Sequence, residues 1–277
     1  MTLDQIIDEV LREDIGDGDH TSDACIPENA LGKAKLLVKE DGVIAGVDLA
    51  LRIFNRVDSN LVVTTFIADG SDIHVGDIVL TVEGSSRYIL KAERLVLNFM
   101  QRMSGIATRT RHLCRLIEGT NAKLLDTRKT TPLLREVEKM AVKLGGGHNH
   151  RFGLYDMVMI KDNHIDMAGG LENALHRVKA HLLAINKDLR IEVEVRSMDE
   201  LEEALSLGGF HRIMLDNFSP ELLALAVKRI NGAYETESSG GITEATIADH
   251  ARSGVDYISV GALTHNIKSL DLSLKAF

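Results

Sequence analysis

The sequence predicts an α/β protein in two parts, a mixed helix-and-strand N-terminal part followed by an α/β barrel. Three observations predict it. From Ala122 onward, six short apolar strands alternate with amphipathic helices, the pattern of a parallel sheet. The later strand ends are almost evenly spaced: 22 positions from Glu194 to Asp216, 22 from Asp216 to Ser238 and 23 from Ser238 to Gly261. Charged or small residues end nearly every strand, and no Gly-x-Gly-x-x-Gly fingerprint follows the first. This favours a closed barrel over an open doubly wound sheet.

The elements follow in order. Thr2 and Gln5 read as a capping box, and Leu3, Ile6, Ile7, Val10 and Leu11 then share one helical face. The loop GDGDHTSD, Gly16 to Asp23, ends that helix. From Ala34 to Leu90 the pattern is of strands, with KLLVKEDGVIAG, LVVTTFIADG and DIVLTVEG separated by Gly and Asp turns. Glu93 to Glu118 reads as a long helix with Gly105 as a kink point. Its apolar face (Leu95, Val96, Phe99, Met100, Met103, Ile106, Ala107) suits either a symmetric partner or the chain's own core. The barrel strands are AKLLD (122–126), MVMIK (157–161), IEVEV (191–195), RIMLD (212–216), YETES (234–238) and YISVG (257–261). Between them lie LLREVEKMAVKL, with Pro132 in its first turn, then GGLENALHRVKAHLLAI, MDELEEALSLG, PELLALAVKRI and TEATIADHARSG. The boundary between the two parts falls between Arg102 and Thr110.

Bulk properties narrow the function. The chain has 277 residues, 44% of them hydrophobic, enough for a sizeable core. A net charge of −9 argues against a general nucleic-acid binder. Two cysteines, Cys25 and Cys114, stand in no metal-ligand spacing, so a reducing cytoplasm is expected. The acidic, amphipathic MTLDQIIDEVLRED does not read as a signal peptide, and no apolar run approaches the roughly 20 residues that span a bilayer.

Against this acidic background the cations between Leu125 and Ile165 cluster. One strand ends in Asp126, Arg128 and Lys129, and the next in Lys161, Asp162 and His164. GGGHNHR, Gly145 to Arg151, lies between them. Adjacent Arg128 and Lys129 on a solvated loop are as often idle as functional, but strand ends of βα units are where ligands bind. His148 and His150 have no matching cysteines, so zinc is a poor reading and His150 and Arg151 are better read as anion-binding donors. Lys161 closes an apolar strand and needs a partner or a role. Glu192 and Glu194 point to the same side of their strand, inward if Val193 and Val195 meet the helices. Inward carboxylates require cations, and Lys161, Lys129 or a metal can serve. Asp216 adds a carboxylate to the same rim, where Mg²⁺ is commonly held beside phosphate. ESSGGI (237–242) and SVGALTH (259–265) pass from strand to helix through small residues, as phosphate cradles do. No nucleophilic Ser or Cys with a supporting base and no P-loop is evident. The residues thus describe an enzyme that joins an acidic small molecule to a phosphorylated one.

With those motifs in place, the chain resembles the quinolinate phosphoribosyltransferases over nearly its whole length. EDIGDGDHTS (13–22), QRMSGIATRT (101–110), LDTRKTTP (125–132), GGGHNHRFGLYDMVMIKDNHI (145–165), EVEV (192–195), MLDNFSPE (214–221), ESSGGI and VDYISVGALTH (255–265) carry the resemblance. It implies an N-terminal α/β sandwich domain over 1–108 and an incomplete, open α/β barrel over 109–267, with a tail, 268–277, free to pack back on the first domain. It implies transfer of phosphoribose from phosphoribosyl pyrophosphate to quinolinate, with release of pyrophosphate and CO₂, in de novo NAD biosynthesis. By motif, Arg128, His150, Arg151 and Lys161 bind quinolinate, joined by Arg102 of the neighbouring subunit in a homodimer, with further assembly left open. Lys129, Glu194, Asp216, Ser239, Gly240, Gly261 and His265 hold phosphoribosyl pyrophosphate. Glu194 and Asp216 also position Mg²⁺, directly or through water, and Lys161, Glu194 and Asp216 carry the catalysis. Arg196 departs from the pattern, which leads one to expect an acidic or small residue after EVEV. Two alternatives stay open: a relative acting on nicotinate or encoded with molybdate transport, and a non-catalytic anion-binding barrel.

Overall fold

The structure, a computed structural model, describes residues 2–277. The chain divides into two compact units. One comprises Met1–Arg111, Thr130–Gly146 and Leu263–Phe277, and the other His112–Lys129 and Gly147–Ala262. The segment Thr130–Gly146 therefore groups with the first unit, although it lies between two strands of the second.

The first unit starts with helix α1 (Leu3–Ile15), whose Thr2 and Gln5 do form a reciprocal capping box and whose Leu3, Ile6 and Ile7 are buried. The loop after it is shorter than expected. Asp19 accepts the Ser22 N–H at 3.0 Å and starts a second helix, α2 (His20–Cys25). Strands β1 (Leu31–Val38), β2 (Gly42–Val43), β3 (Val62–Thr65), β4 (Asp72–Ile73) and β5 (Ile78–Ser85) follow, interrupted by helix α3 (Val47–Val57). That helix was not expected: VDLALRI alternates like a strand, yet the buried positions are Val47, Leu49, Ala50, Ile53 and Phe54, a helical stripe. Helix α4 runs from Ser86 to Leu116 without a break at Gly105. There a Cβ would strike the Lys268 carbonyl, so this glycine permits close approach of the chain rather than a kink. The apolar face of α4 is spent on the chain's own core: Val96, Met100, Ile106 and Ala107 are fully buried.

The expected helix after Pro132 begins later, as α5 (Arg135–Leu144), because Leu133 has φ +67° and breaks the helical path. The first unit closes with β12 (Leu272–Ala276), which pairs antiparallel with β1 so that Ala34 lies opposite Ala276 and Val38 opposite Leu272. Its main sheet has the order β12-β1-β5-β3, and β2 pairs with β4 separately.

The second unit holds β6 (Lys123–Leu125), β7 (Val158–Ile160), β8 (Ile191–Val195), β9 (Arg212–Asp216), β10 (Glu235–Ser239) and β11 (Tyr257–Ser259). Its helices are α6 (Asp162–Ala168), α7 (Leu171–Ala184), α8 (Met198–Leu207), α9 (Pro220–Ile230) and α10 (Ile247–Arg252), and α11 (Ala262–His265) follows. The sheet is parallel, in the order β6-β11-β10-β9-β8-β7. The closure expected from the strand spacing does not occur: among the described residues β6 and β7 are edges, and β6 is extended only by a bridge from Leu125 to His148. The barrel is open on the side of the GGGHNHR loop.

Candidate active site

Strand register sorts the site. Met159 lies opposite Glu192, Glu192 opposite Arg212, and Arg212 opposite Glu235, forming one row across four strands. One step further along, Glu194, Met214, Glu237 and Tyr257 form a second row, and Asp216 with Ser239 a third. With a period of two, these rows share one face of the sheet. The other face carries Val193, Ile213, Leu215 and Ser238, and the Ser238 hydroxyl meets His250 of α10 at 2.8 Å. Both glutamates of IEVEV therefore point away from the helices. Their strand is buried throughout.

The upper rows end in opposed charges. Lys161, one residue beyond β7, ion-pairs with Glu194. Arg196, the departure from the family pattern, bonds Glu200 at 2.8 Å and lies 3.7 Å from Asp162, outside these rows. Asp216 is held by both oxygens: Ser239 Oγ donates to Oδ1 at 2.5 Å and Asn217 Nδ2 to Oδ2 at 2.6 Å. Asn217 has φ +58°, and its side chain occupies the space that a Cβ on Gly240, itself at φ +92°, would need. Gly261 leads directly into α11, which His265 ends.

The cationic sector sits at the ends of β6 and β7. The Asp126 carboxylate is buried and accepts the His150 N–H at 2.8 Å, while the His148 N–H donates to the Leu124 carbonyl at 2.8 Å. These bonds tie the GGGHNHR loop to β6. Arg151 donates through Nη1 to the Met157 carbonyl at 3.1 Å. Burial and the neighbouring Arg128 guanidinium hold Arg151 below the usual arginine range. Two guanidinium groups near each other and partly out of water mark a place for an anion. Lys129 is exposed on the same loop as Arg128.

His150 is buried, and its ring turns inward. Its Nδ1 accepts the Arg151 N–H at 2.7 Å, and its Nε2 lies 3.2 Å from Glu192 and 3.3 Å from Glu237. Burial alone would lower its pKa, but the two carboxylates raise it to about 9. The ring that accepts Arg151 N–H carries its proton on Nε2, and a second proton would have to displace that amide. Burial and Glu237 push Glu192 up to about 7, so the trio readily shares a proton. His150, Glu192 and Glu237 are metal-ligand types, with ligand atoms within 4.8 Å of one another. Arg212 already supplies positive charge there, donating to Glu237 at 3.0 Å and to Glu235 at 3.0 Å.

Arg102 belongs to the first unit. Its Nε and Nη2 donate to Glu138 Oε1 at 2.8 and 2.6 Å, and Nη2 also reaches Thr131 Oγ1 at 2.8 Å and the Thr264 carbonyl at 3.1 Å. The residues to which sequence reasoning gave no role are Arg212, Glu237 and Asn217, and Asp126, noted there only as a strand-end charge, turns out to anchor the His150 loop. The first two were detectable as charges within short, otherwise buried strands, which must find partners.

A model of the quinolinate phosphoribosyl transferase N-terminal domain matches residues 19–104, and one of the C-terminal domain of the same family matches residues 106–275. A protein of Oryza sativa subsp. japonica named nicotinate-nucleotide pyrophosphorylase (carboxylating), chloroplastic, is 46% identical over 288 residues, covering 99% of this chain and 77% of its own. The probable nicotinate-nucleotide pyrophosphorylase (carboxylating) of Bacillus subtilis is 40% identical, covering 99% of this chain and 93% of its own. The crystal structure of NadC from Streptococcus pyogenes superposes with a TM-score of 0.93 at 40% identity, covering 99% of this chain and 95% of that one. The chain belongs to the quinolinate phosphoribosyltransferase family.

Proposed function

We propose that this protein transfers phosphoribose from phosphoribosyl pyrophosphate to quinolinate, forming nicotinate mononucleotide, pyrophosphate and CO₂. The observation that carries the substrate choice is the Arg128–Arg151 pair, two guanidinium groups whose mutual repulsion a dianion would relieve. Arg128 and Arg151 hold the carboxylates of quinolinate, with His150 beneath them. The pyridine nitrogen is a weak nucleophile, so the rate depends on orientation and on stabilising positive charge that develops on the ribose. The Lys161–Glu194 pair joins the two halves of the site. Glu194 and Asp216 face the ribose, and Lys161 stabilises or protonates the ring carbon that loses its carboxylate. Lys129, Ser239, Gly240, Gly261 and His265 serve the phosphoribosyl side.

The donor set fits Mg²⁺. Glu194 and Asp216 supply hard oxygens on one face, and each oxygen that accepts a protein hydrogen bond keeps a second lone pair. Mg²⁺, when bound, offsets charge on the leaving pyrophosphate. These two carboxylates would hold it, directly or through water.

A homodimer in which Arg102 of one chain completes the pocket of the other is part of this reading. The Arg102 side chain is 28% exposed despite its bonds to Glu138, which leaves it an outward edge. No helix among the described residues is long and apolar enough to cross a membrane, and Cys25 is exposed with no disulfide. The exposed free thiol supports a reducing compartment such as the cytoplasm. The decisive assay supplies quinolinate or nicotinate with phosphoribosyl pyrophosphate and Mg²⁺ and follows CO₂ and mononucleotide. Quinolinate should be consumed and nicotinate barely used. Equal turnover of nicotinate would defeat the reading.

A further inference from the structure

Glu237 and Arg212 have no part in the chemistry proposed above. Glu237 lies one row below Ser239 and is fully buried, and Arg212 lies two rows below Asp216 and is also buried. Groups this deep do not reach a ligand at the strand ends. They are nevertheless joined to the ligand site by an unbroken series of contacts. The Arg212 guanidinium stacks on the Tyr257 ring, 4.1 Å from its centroid. Glu235 takes its Nε and Nη2, each at 3.0 Å, and Glu237 takes its Nη1 at 3.0 Å. Glu237 Oε2, so anchored, lies 3.3 Å from His150 Nε2, and the opposite ring nitrogen accepts the backbone N–H of Arg151 at 2.7 Å.

We propose that Arg212 and Glu237 are positioning residues: they fix the His150 ring in one orientation, and the ring in turn sets Arg151 for the dianion. This deepens the quinolinate reading and rests on it for its ligand. The geometry explains why two carboxylates are needed. The Arg151 N–H restrains the ring at Nδ1, and at Nε2 the charges of Glu192 and Glu237, at 3.2 and 3.3 Å, bear on it from two strands and centre it by ion pairing. The guanidinium aims Glu237, because its planar fork engages Glu235 and Glu237 at once. The same guanidinium makes the trio a poor divalent-cation site, since the charge a metal would bring is already present.

The test uses the full chain with Glu237→Gln and, separately, Arg212→Lys. Gln keeps the shape but turns a donor or a weaker acceptor toward Nε2, and Lys keeps the charge but loses the fork. Quinolinate is titrated without phosphoribosyl pyrophosphate, and KM is measured for each substrate. The expected result is at least a tenfold rise in Kd and KM for quinolinate, with KM for phosphoribosyl pyrophosphate changed less than twofold. The second readout is ¹⁵N NMR of the His150 ring, assigned by loss of its signals in His150→Gln. It should report altered ring hydrogen bonding in Glu237→Gln. Tyr257→Leu, which removes only the stacking ring, is the milder variant if either of the others unfolds, and it should shift quinolinate binding in the same direction. Unchanged quinolinate affinity, or an equal loss for both substrates, overturns the proposal. If the wild-type chain does not bind quinolinate, the functional reading fails. The ring spectrum then still decides the strut, because an unchanged spectrum in Glu237→Gln overturns it.

Discussion

Removing the Arg102 guanidinium should cost the protein about 3 kcal/mol of stability. Glu138 is completely buried. Its Oε1 receives both Nε and Nη2 of Arg102, at 2.8 and 2.6 Å, and its Oε2 receives the Thr131 N–H at 3.2 Å. Deleting one member of a buried ion pair costs about 3–5 kcal/mol, because the other is left without compensation. The Arg102 side chain is 28% exposed, so water enters the vacated space and the lower end applies. In Arg102→Ala/Glu138→Gln no charge is stranded, and roughly half of the loss should return. Urea unfolding followed by circular dichroism is the assay. With a slope of about 2 kcal/mol per molar, the Arg102→Ala midpoint should fall by about 1.5 M. An Arg102→Ala protein within about 0.5 kcal/mol of wild type would refute the reasoning. Glu138 would then have no need of its partner.

Three further perturbations probe the second unit. Arg151→Ala should lose about 2–5 kcal/mol of transition-state stabilisation, read as quinolinate kcat/KM, and unchanged kinetics would remove Arg151 from the pocket. Gly240→Ala forces a Cβ into Asn217 at φ +92°, so phosphoribosyl pyrophosphate KM should rise as Asp216 loses its clamp, and an unaltered KM would show that the clamp is dispensable. Asp156 accepts the Phe152 and Gly153 N–H groups at 2.6 and 2.8 Å. Burial raises its pKa, but these bonds outweigh it and hold the carboxyl below its ordinary 3.8. A folded-state pKa below the unfolded value contributes stability above about 3.8 that is lost as pH falls further. Asp156→Asn should therefore be less stable than wild type at pH 7, with the gap closing below about pH 3.8, and a gap that persists to pH 2 would contradict the linkage.

Much of the second unit was legible from sequence. IEVEV, RIMLD and PELLALAVKRI form the elements expected, residue for residue, because each has one dominant period and a clear boundary. The first unit was harder to read. VDLALRIFNRV satisfies strand and helix periodicities at once, and only packing decides between them. β12 pairs with β1, more than 200 residues away in sequence, and no local signal names that partner. The closed barrel was a fair reading of even spacing, but spacing does not say whether β6 and β7 meet. At the site, the cations at the strand ends announced themselves by type and position. The inward turn of His150 did not, because its partners Glu192 and Glu237 come from strands that meet it only once strand order and register are set.

The pairing of β12 with β1 also bears on how the protein is made. Synthesis releases β1, β5 and α4 early, yet the strand that covers β1 emerges only after every strand of the parallel sheet. The tail is bound on arrival by Gln101, which donates to the Leu272 carbonyl at 2.9 Å and receives the Leu270 N–H at 2.9 Å. Until then Leu36 and Val38, fully buried in the finished fold, lie beside an open sheet edge. The first unit's sheet is thus completed after the second unit's, and the nascent chain carries a sticky edge while all the parallel strands are made. A ribosome that stops shortly after Lys268 releases a chain whose parallel-sheet strands are all present but whose opening sheet is one strand short. Quality control should treat that product as misfolded in its first sheet, although the lesion lies downstream of the parallel one.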